Sequence, residues 1–435
     1  MLDKIIICIT LCTFALGTYI IWFDKKNVFN HILIGLCFVA YIVPVCIFDF
    51  NDFVKPEIVK LYVYINLLGA IFFILGLVLG YKWGKITMVN TVMRFSLVEQ
   101  AIHSDSFEKN VLFSSRRIFI VCLIIMTSCF MYMGYLPMFA ADPYSAKQFK
   151  GIYQPRYQHV ALFYRTSKQF IQLLLPFFLI EYYDKRKLST LFLIICGLLL
   201  VVVSLSRSET VTGLILITSI IVSMKNSKKA FTLYIIIIIV FFSIGSSFWV
   251  IASYYFPNSG FISFTEGQTA ADAIASGAPD ILDQLGFLEA FVKNHVNYTY
   301  GLTFVGGLIP FNFKWNPSVW TLMVSNNTND ISEISSGGLR LSTAMWGYVC
   351  FGWFGVVTVP FFSSLFIGYI IKKIKNIVNK LKAGYKGYFI FYYLVFLYLY
   401  IGCIFTDFYR LTIYILPGFI FYGLVLYTNK KKNIR

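Results

Sequence analysis

The sequence predicts an all-α polytopic membrane protein, and three observations lead to that prediction. Hydrophobic residues make up 58% of the 435 positions and charged residues only 13%, with a mean hydropathy of +0.73. Soluble domains carry roughly 25% charged residues, so this composition excludes an ordinary soluble globule. The apolar residues are gathered into long uncharged runs, and most Lys and Arg residues lie between those runs. Both patterns are typical of a chain that crosses a membrane many times.

The uncharged runs define the predicted helices in chain order. Nine runs of 19 or more residues are each long enough to cross ~30 Å of hydrocarbon as a helix. They are residues 5–23, 27–48, 61–81, 118–141, 188–206, 231–252, 341–371, 387–406 and 411–429. Two weaker segments, 160–182 and 210–224, bring the prediction to about 11 transmembrane helices within a single integral membrane domain, 1–435. No small-residue cleavage site follows the first run, so it is predicted to be retained.

The positively charged connections orient these helices. Cationic short loops stay on the cytoplasmic side of a membrane. Such connections are residues 24–26, 82–117, 184–187, 225–229, 372–386 and the "KKKNIR" tail. Their alternation predicts an extracytoplasmic N-terminus and a cytoplasmic C-terminus. The net charge of +17 is then a signal for topology and for the lipid surface. No basic patch with interleaved aromatics marks a soluble domain, so nucleic acid is not an expected partner.

Two connections on the opposite side are long, and loops of such length are usually functional. The first extracytoplasmic loop covers residues 137–167, and the large extracytoplasmic loop covers residues 254–341. The large loop is predicted to be partly helical. After Pro279, the residues Ile281, Leu285, Leu288 and Val292 recur with helical spacing and give one apolar face. This pattern predicts a membrane-surface or lid helix.

Arginine is unusually placed on the predicted extracytoplasmic side. A guanidinium grips phosphate or carboxylate with a rigid fork, whereas lysine is a hydrated point charge. The candidate phosphate-binding residues are Arg156, Arg165, Arg207 and Arg340. Arg340 follows the pair Gly337 and Gly338 at the start of an apolar run, which indicates close backbone approach. Arg410 lies three residues after Asp407, and that spacing favours a simple ion pair.

Cysteine and carboxylate spacing predict neither a disulfide framework nor a metal site. Eight of the nine cysteines lie inside apolar runs, and Cys350 lies in a stretch of Gly and aromatic residues. The extracytoplasmic loops contain no Asp-x-Asp motif. The sequence therefore predicts no metal and no cofactor.

Several stretches together resemble the O-antigen or oligosaccharide repeat-unit polymerases (Wzy-type). The resemblance lies in "YGLTFVGGLIPFNFKWNPSVW" (300–320), "GGLRLSTAMWGYVCFGWFGVV" (337–357), "SLSRSETVTGLI" (204–215) and "YQPRYQHVALFYRTSKQF" (153–170). These stretches cover roughly a fifth of the chain, whereas the plan of helices and two large loops covers all of it. The resemblance implies a membrane glycosyltransferase architecture of the GT-C type.

The resemblance also implies an activity. Such an enzyme works at the outer face of the cytoplasmic (inner) membrane, where it transfers a growing glycan from undecaprenyl diphosphate onto a new lipid-linked repeat unit, as in O-antigen and lipopolysaccharide biosynthesis. Arg156, Arg165, Arg207 and Arg340 would bind the diphosphates, and Arg340 would also stabilise the leaving group. The acceptor hydroxyl needs a base, for which the candidates are His295, Glu289, Glu333 and His159. The implied partners are the lipid-linked oligosaccharide, membrane lipid, a chain-length regulator and a flippase.

Three alternatives remain open from the sequence. A flippase or transporter of lipid-linked oligosaccharide would also need basic groups, but such proteins usually carry a pseudo-repeated helix set and no loop of this length. An O-antigen ligase would carry a histidine at the end of the large loop, where this chain has Arg340. A structural or receptor membrane protein is the third alternative.

Overall fold

A computed structural model describes residues 1–104, 106–205, 207–225, 227–255, 269–309, 312, 314–330 and 338–432. In these residues the chain is helical, and the only strand-like pairing is an isolated bridge between Gly307 and Thr412. Together with the long apolar helices, this confirms an all-α, membrane-embedded protein. The GT-C-type architecture and the eleven crossings stay predictions.

The helices follow one another in chain order. Up to residue 185 they are α1 (Leu2–Leu16), α2 (Thr18–Ile21), α3 (Phe29–Cys37), α4 (Val43–Ile47), α5 (Pro56–Lys82), α6 (Thr87–Met93), α7 (Phe95–Ala101), α8 (Ser106–Met133), α9 (Pro143–Gln148) and α10 (Gln154–Lys185). Beyond it they are α11 (Leu188–Val203), α12 (Arg207–Met224), α13 (Lys228–Tyr255), α14 (Ala270–Gly277), α15 (Asp280–Lys293), α16 (Leu302–Gly306), α17 (Pro317–Asn326), α18 (Thr343–Val378), α19 (Tyr385–Phe396), α20 (Cys403–Thr406) and α21 (Leu416–Lys432).

Each run that the sequence assigns to a spanning helix contains helical residues in the structure. Among the described residues, five helical segments are long and apolar enough to cross a membrane. They are Phe29–Ile47, Pro56–Lys82, Ser106–Phe139, Lys228–Phe248 and Thr343–Val378. Other predicted crossings, such as α11 and α21, coincide with shorter apolar helices. For these the crossing itself remains a prediction.

The chain divides into two compact units. Unit 1 comprises Met1–Val89, Thr232–Lys373 and Cys403–Ile413, and unit 2 comprises Asn90–Phe231, Ile374–Gly402 and Tyr414–Arg435. The core of unit 1 joins buried side chains of α1, α5, α15, α17 and α18. In unit 2, α10 packs along α8 and also contacts α11, α12 and α19. Arg156 and Arg165 therefore belong to unit 2, whereas Arg340 belongs to unit 1.

Two long helices of unit 1, α5 and α18, pack with their backbones in close contact. A side chain added at Gly76 would meet the carbonyl of Phe361, and one added at Gly80 would meet the carbonyl of Leu365. Small residues allow such close approach between membrane helices. Because the contacts advance in the same order along both helices, α5 and α18 run in parallel.

The apolar face predicted after Pro279 is present on α15, but it faces protein. Ile281, Leu285 and Leu288 are fully buried in the core of unit 1, and Val292 at the far end is partly exposed. The helical spacing is thus confirmed. This face does not lie on a membrane surface, because α5 and α17 cover it. The lid helix stays a prediction.

Helix α18 is broken near its start. Phe351 and Gly352 have non-helical backbone angles, with φ +61° and ψ −144° at Gly352. A side chain at Gly347 would meet the carbonyl of Gly355, so the residues before the break fold against those after it. Residues 341–371 are therefore not one straight helix, although the sequence shows a single uncharged run.

Candidate functional site

The segment that carries Arg340 is fixed through its backbone. Gly338 has φ +144°, and a side chain there would collide with Ser318 of α17. The next amide, of Leu339, donates a hydrogen bond of 3.2 Å to the hydroxyl of Thr321, which is also on α17. The glycine predicted to permit close backbone approach does so at this point.

A buried amide side chain, Gln284 of α15, continues the attachment. Its Nε2 donates to the carbonyl of Arg340 at 2.8 Å. Its Oε1 accepts from the hydroxyl of Tyr62 at 2.8 Å and from the amide of Ser342 at 3.3 Å. The Ser342 hydroxyl donates to Asn66 Oδ1 at 2.7 Å. Buried polar groups that satisfy one another in this way specify a single arrangement.

The side chain of Arg340 is anchored by a carboxylate but stays accessible. Its Nη2 lies 2.8 Å from Oδ1 of Asp280, and the side chains are 60% and 5% exposed, respectively. A guanidinium has five N–H donors in a fixed fork. With most of its surface open, this one can still contact a further anion. Arg340 is therefore held in place without being enclosed.

A second carboxyl, Asp283, shares this environment. Burial raises the pKa of Asp283, the negative charge of Asp280 adds to the rise, Arg340 opposes it, and the resulting pKa is about 6. Burial also raises the pKa of Asp280, against the lowering effect of Arg340. A carboxyl that titrates near neutral pH can exchange protons under physiological conditions, which is the requirement for general acid–base chemistry.

An aromatic cluster packs between α15, α17 and α18. The rings of Phe287 and Trp320 meet edge to face with centroids 5.7 Å apart, and the ring of Trp346 lies 6.3 Å from that of Trp320. Trp346 is buried. These rings come from α15, α17 and α18, so two of the helices that position Arg340, α15 and α17, share an aromatic core with α18.

Arg165 in unit 2 has a different environment. Its Nε donates to the hydroxyl of Tyr157, and its Nη1 donates to the hydroxyl of Tyr414 at 3.0 Å. Phe149 stacks on Tyr157 with ring centroids 3.5 Å apart. Phenol groups orient the guanidinium without neutralising it. Arg165 thus keeps its positive charge in a half-buried aromatic setting, and it too could take an anion.

Among the other arginines singled out from the sequence, Arg156 and Arg410 each contact a protein oxygen. Arg156 is exposed and its Nη1 donates to the carbonyl of Met133 at 3.3 Å. Arg207 is the first residue of α12, and its side chain lies outside the described part of the structure. Arg410 Nη2 lies 3.8 Å from Asp407 Oδ1, which confirms the predicted local ion pair.

Of the predicted bases, Glu289 and His295 are described in unit 1, and neither lies beside the Asp280–Arg340 pair. Glu289 is half-buried and lies nine residues after Asp280 on α15, and at 1.5 Å per residue this separates the two by ~13 Å along the helix. His295 is exposed just beyond the end of that helix, with φ +48°, and is farther still. Glu333 lies outside the described residues. His159 packs its ring near that of Tyr132 in unit 2.

Asp280, Asp283 and Gln284 are site residues that sequence reasoning missed. Both Asp280 and Gln284 are buried, although they belong to the predicted extracytoplasmic loop. Their local signal was limited to a position at the start of a helix. What makes them functional candidates is a pairing with a segment at the far end of the loop, and no short sequence motif records that pairing.

Comparisons with known proteins add no constraint to this geometry. No family model, no curated protein and no solved structure matches the chain.

Proposed function

We propose that this chain is a membrane glycosyltransferase that polymerises oligosaccharide repeat units carried on undecaprenyl diphosphate. The observation that supports the proposal most is the state of Arg340, whose guanidinium is exposed but anchored by the buried Asp280. An anchored, open guanidinium fits a ligand that carries a negatively charged phosphate. The resemblance of residues 300–320 and 337–357 to repeat-unit polymerases supplies the reaction class.

In the proposed reaction, a hydroxyl of the new repeat unit attacks the anomeric carbon of the growing glycan. A carbon–oxygen bond forms, the bond from that carbon to the lipid diphosphate breaks, and the diphosphate leaves with the bonding electrons. Arg340 would stabilise the charge that builds up on the leaving phosphate. Fixed donors are effective in this role because they need no reorganisation during the reaction.

The hydroxyl proton must pass to a base. Asp283 joins His295, Glu289, Glu333 and His159 as a candidate because its pKa of about 6 suits proton transfer near neutral pH. It also lies in the environment of Arg340, which brings the two functions into one region of unit 1. Arg156, Arg165 and Arg207 are proposed to bind lipid diphosphate.

The proposed site faces the outside of the cytoplasmic membrane, with the N-terminus outside and the C-terminus in the cytoplasm. This orientation rests on the distribution of Lys and Arg between the helices. Lipid-linked repeat units that have been flipped outward would then reach Arg340 from the membrane. A flippase and a chain-length regulator are the protein partners that such a polymerase needs.

Analysis of surface glycan and lipid-linked intermediates in a deletion strain tests this function. Loss of a polymerase should leave surface glycan that stops at one repeat unit, and the wild-type chain supplied on a plasmid should restore long chains. Complete loss of surface glycan would indicate a flippase instead. Accumulation of long polymer on the lipid carrier would indicate a ligase.

A further inference from the structure

Residues 298–309 of unit 1, called here the 298–309 segment, expose a row of large apolar side chains. Tyr300, Leu302, Val305 and Ile309 are between 47% and 71% exposed. The segment includes the short helix α16 and carries no charged residue. Large exposed apolar patches on a protein usually mark a surface that meets a partner or a lipid.

The backbone of this segment is attached to the broken membrane helix α18. The amides of Thr299 and Tyr300 donate to the carbonyls of Val349 and Cys350 at 2.9 and 3.1 Å. The break at Phe351 and Gly352 leaves carbonyls just before it without their usual helical partners. The segment therefore satisfies backbone groups of an apolar helix, which is the condition for irregular backbone at membrane depth.

Aromatic rings connect the segment to the surface of α18 beyond the break. The ring centroids of Tyr300 and Tyr298 are 6.3 Å apart, those of Tyr298 and Tyr348 6.2 Å, and those of Tyr348 and Trp353 5.7 Å. Trp353 and its neighbour Phe354 are themselves exposed. The apolar surface is therefore continuous from the segment to a helix that can cross the membrane.

The length of α18 sets the depth of this surface. Residues 353–371 are uncharged, and Lys372 and Lys373 follow them. At 1.5 Å per residue these 19 positions span ~28 Å, which is close to the thickness of the hydrocarbon core. With the lysines at one boundary of the bilayer, Trp353 lies at the other boundary. Tryptophan and tyrosine are enriched at that level.

Lys314 follows the 298–309 segment five positions later in the sequence. Lys314 lies over the ring of Trp315, with its Nζ 5.4 Å from the ring centroid, and the lysine is exposed. A Lys–Trp pair of this kind suits the boundary between headgroups and acyl chains, because the ring can stay in the apolar layer while the ammonium reaches phosphate. Exposure of the four large apolar side chains of this segment to water would be unfavourable.

We propose that the 298–309 segment is a membrane anchor: it inserts Tyr300, Leu302, Val305 and Ile309 into the lipid of one leaflet, beside Trp353 and Phe354. Part of the predicted large loop is thus embedded at the bilayer boundary. This proposal does not depend on the proposed function or on which side of the membrane the segment lies.

Spin-label accessibility tests the proposal on the full chain. A cysteine-free version carries a single nitroxide at residue 305 and is reconstituted into phosphatidylglycerol/phosphatidylethanolamine vesicles. Collision with oxygen, which concentrates in lipid, is compared with collision with a water-soluble nickel chelate. Residue 362, exposed on the span of α18, is the lipid reference, and the exposed Asn326 of the same loop is the water reference.

We expect the oxygen-to-nickel ratio at residue 305 to be closer to that at residue 362 than to that at residue 326, and labels at 302 and 309 to agree. A ratio closer to that at residue 326 would overturn the proposal. Low collision with both reagents would mean that protein covers the patch, and would overturn it as well. Because these positions are exposed, the cysteine substitutions leave the core intact, and thermal unfolding of each variant verifies this.

Discussion

Nη2 of Arg340 lies 2.8 Å from Oδ1 of Asp280, although the two residues are 60 positions apart in the large loop. The carboxylate is buried and the guanidinium is exposed. A free arginine side chain carries about 2 kcal/mol of rotamer entropy. The ion pair with Asp280 and the hydrogen-bonded backbone already restrict the Arg340 side chain before a ligand binds. Binding therefore costs less side-chain entropy.

The first prediction concerns Gln284, whose side chain holds the backbone of Arg340 and Ser342 through hydrogen bonds. Gln284→Leu leaves the Tyr62 hydroxyl, the Arg340 carbonyl and the Ser342 amide without their buried partner. Each unsatisfied group costs about 1–3 kcal/mol, and relaxation recovers part of the total. We expect the free energy of unfolding to fall by roughly 3 kcal/mol and the melting temperature in detergent to fall by several degrees.

Gln158→Leu is the matched control for this variant. Gln158 is exposed on α10, and exposed substitutions usually change stability by less than about 0.5 kcal/mol. Equal melting temperatures for the Gln284 and Gln158 variants would show that the hydrogen-bond network around Arg340 contributes little.

The raised pKa of Asp283 gives the second prediction. Its carboxyl titrates near pH 6 in the folded protein and has an ordinary value of 3.8. As pH rises from about 4 to 6, the unfolded chain releases this proton before the folded chain does, so the stability contribution of Asp283 is lost over that window. Asn cannot titrate and resembles the protonated acid. The melting temperature of Asp283→Asn should therefore rise relative to wild type across the same window.

Thermal unfolding at pH 4, 5, 6 and 7 measures the difference in melting temperature between Asp283→Asn and wild type. The contributions of titrating groups that both proteins share cancel in this difference. Asn326→Gln, an exposed change in the same loop that removes no titrating group, should show a difference that does not vary with pH. A constant difference for Asp283→Asn as well would refute the raised pKa.

The regular helices were predictable because membrane crossing imposes a local rule. A run without charge at 61–81 or 231–252 has to satisfy its own backbone, and α5 and α13 are found there. The pair Asp407 and Arg410 was predictable for a similar reason, since one helical turn joins them. In contrast, α10 begins at Gln154 rather than at residue 160, because charged side chains can extend from the polar end of a helix.

The arrangement around Arg340 was not predictable in the same way. Gln284 and Arg340 are 56 positions apart, and only the packing of α5, α15 and α17 brings their segments together. The sequence marked Arg340 through its glycine neighbours, but it gave Asp280 and Asp283 no distinguishing signal. The break in α18 was hidden for a further reason: apolar residues continue on both sides of Gly352.

The break itself gives the third prediction. Gly352 has φ +61° and ψ −144°, a region that is almost restricted to glycine. A methyl group there would also lie 3.1 Å from the hydroxyl of Tyr298. Gly352→Ala should therefore destabilise the protein by about 1–3 kcal/mol.

Gly423→Ala provides the comparison, since Gly423 lies in α21 with nothing within 4 Å of an added methyl group. That change should be neutral or stabilising, because alanine favours a helix by about 1 kcal/mol over glycine. A Gly352→Ala variant as stable as Gly423→Ala would mean that α18 continues unbroken.

Orientation in the membrane is the fourth prediction. In a cysteine-free background, a cysteine at Asn326 should react with an impermeant maleimide added to the outside of the cytoplasmic membrane, and one at Asn376 should react only after lysis. Both residues are exposed, so labelling reports the compartment rather than burial. The parallel packing of α5 and α18 agrees with the predicted order of crossings in either orientation, because the third and ninth crossings must run in the same direction. The reverse labelling pattern would place Arg340 in the cytoplasm.

Whether Arg340 binds the phosphate of a lipid-linked substrate is measured by polymerisation by the purified protein in vesicles with lipid-linked repeat units. Arg340→Ala should lower the rate ~10²-fold, as removal of a fixed transition-state donor does. Arg340→Lys should lose roughly tenfold, because it keeps the charge without the fork. Lys293→Ala, which removes an exposed cation from the same loop, should keep the wild-type rate. Wild-type polymer length and rate for a well-folded Arg340→Ala would show that Arg340 does not bind the substrate phosphate.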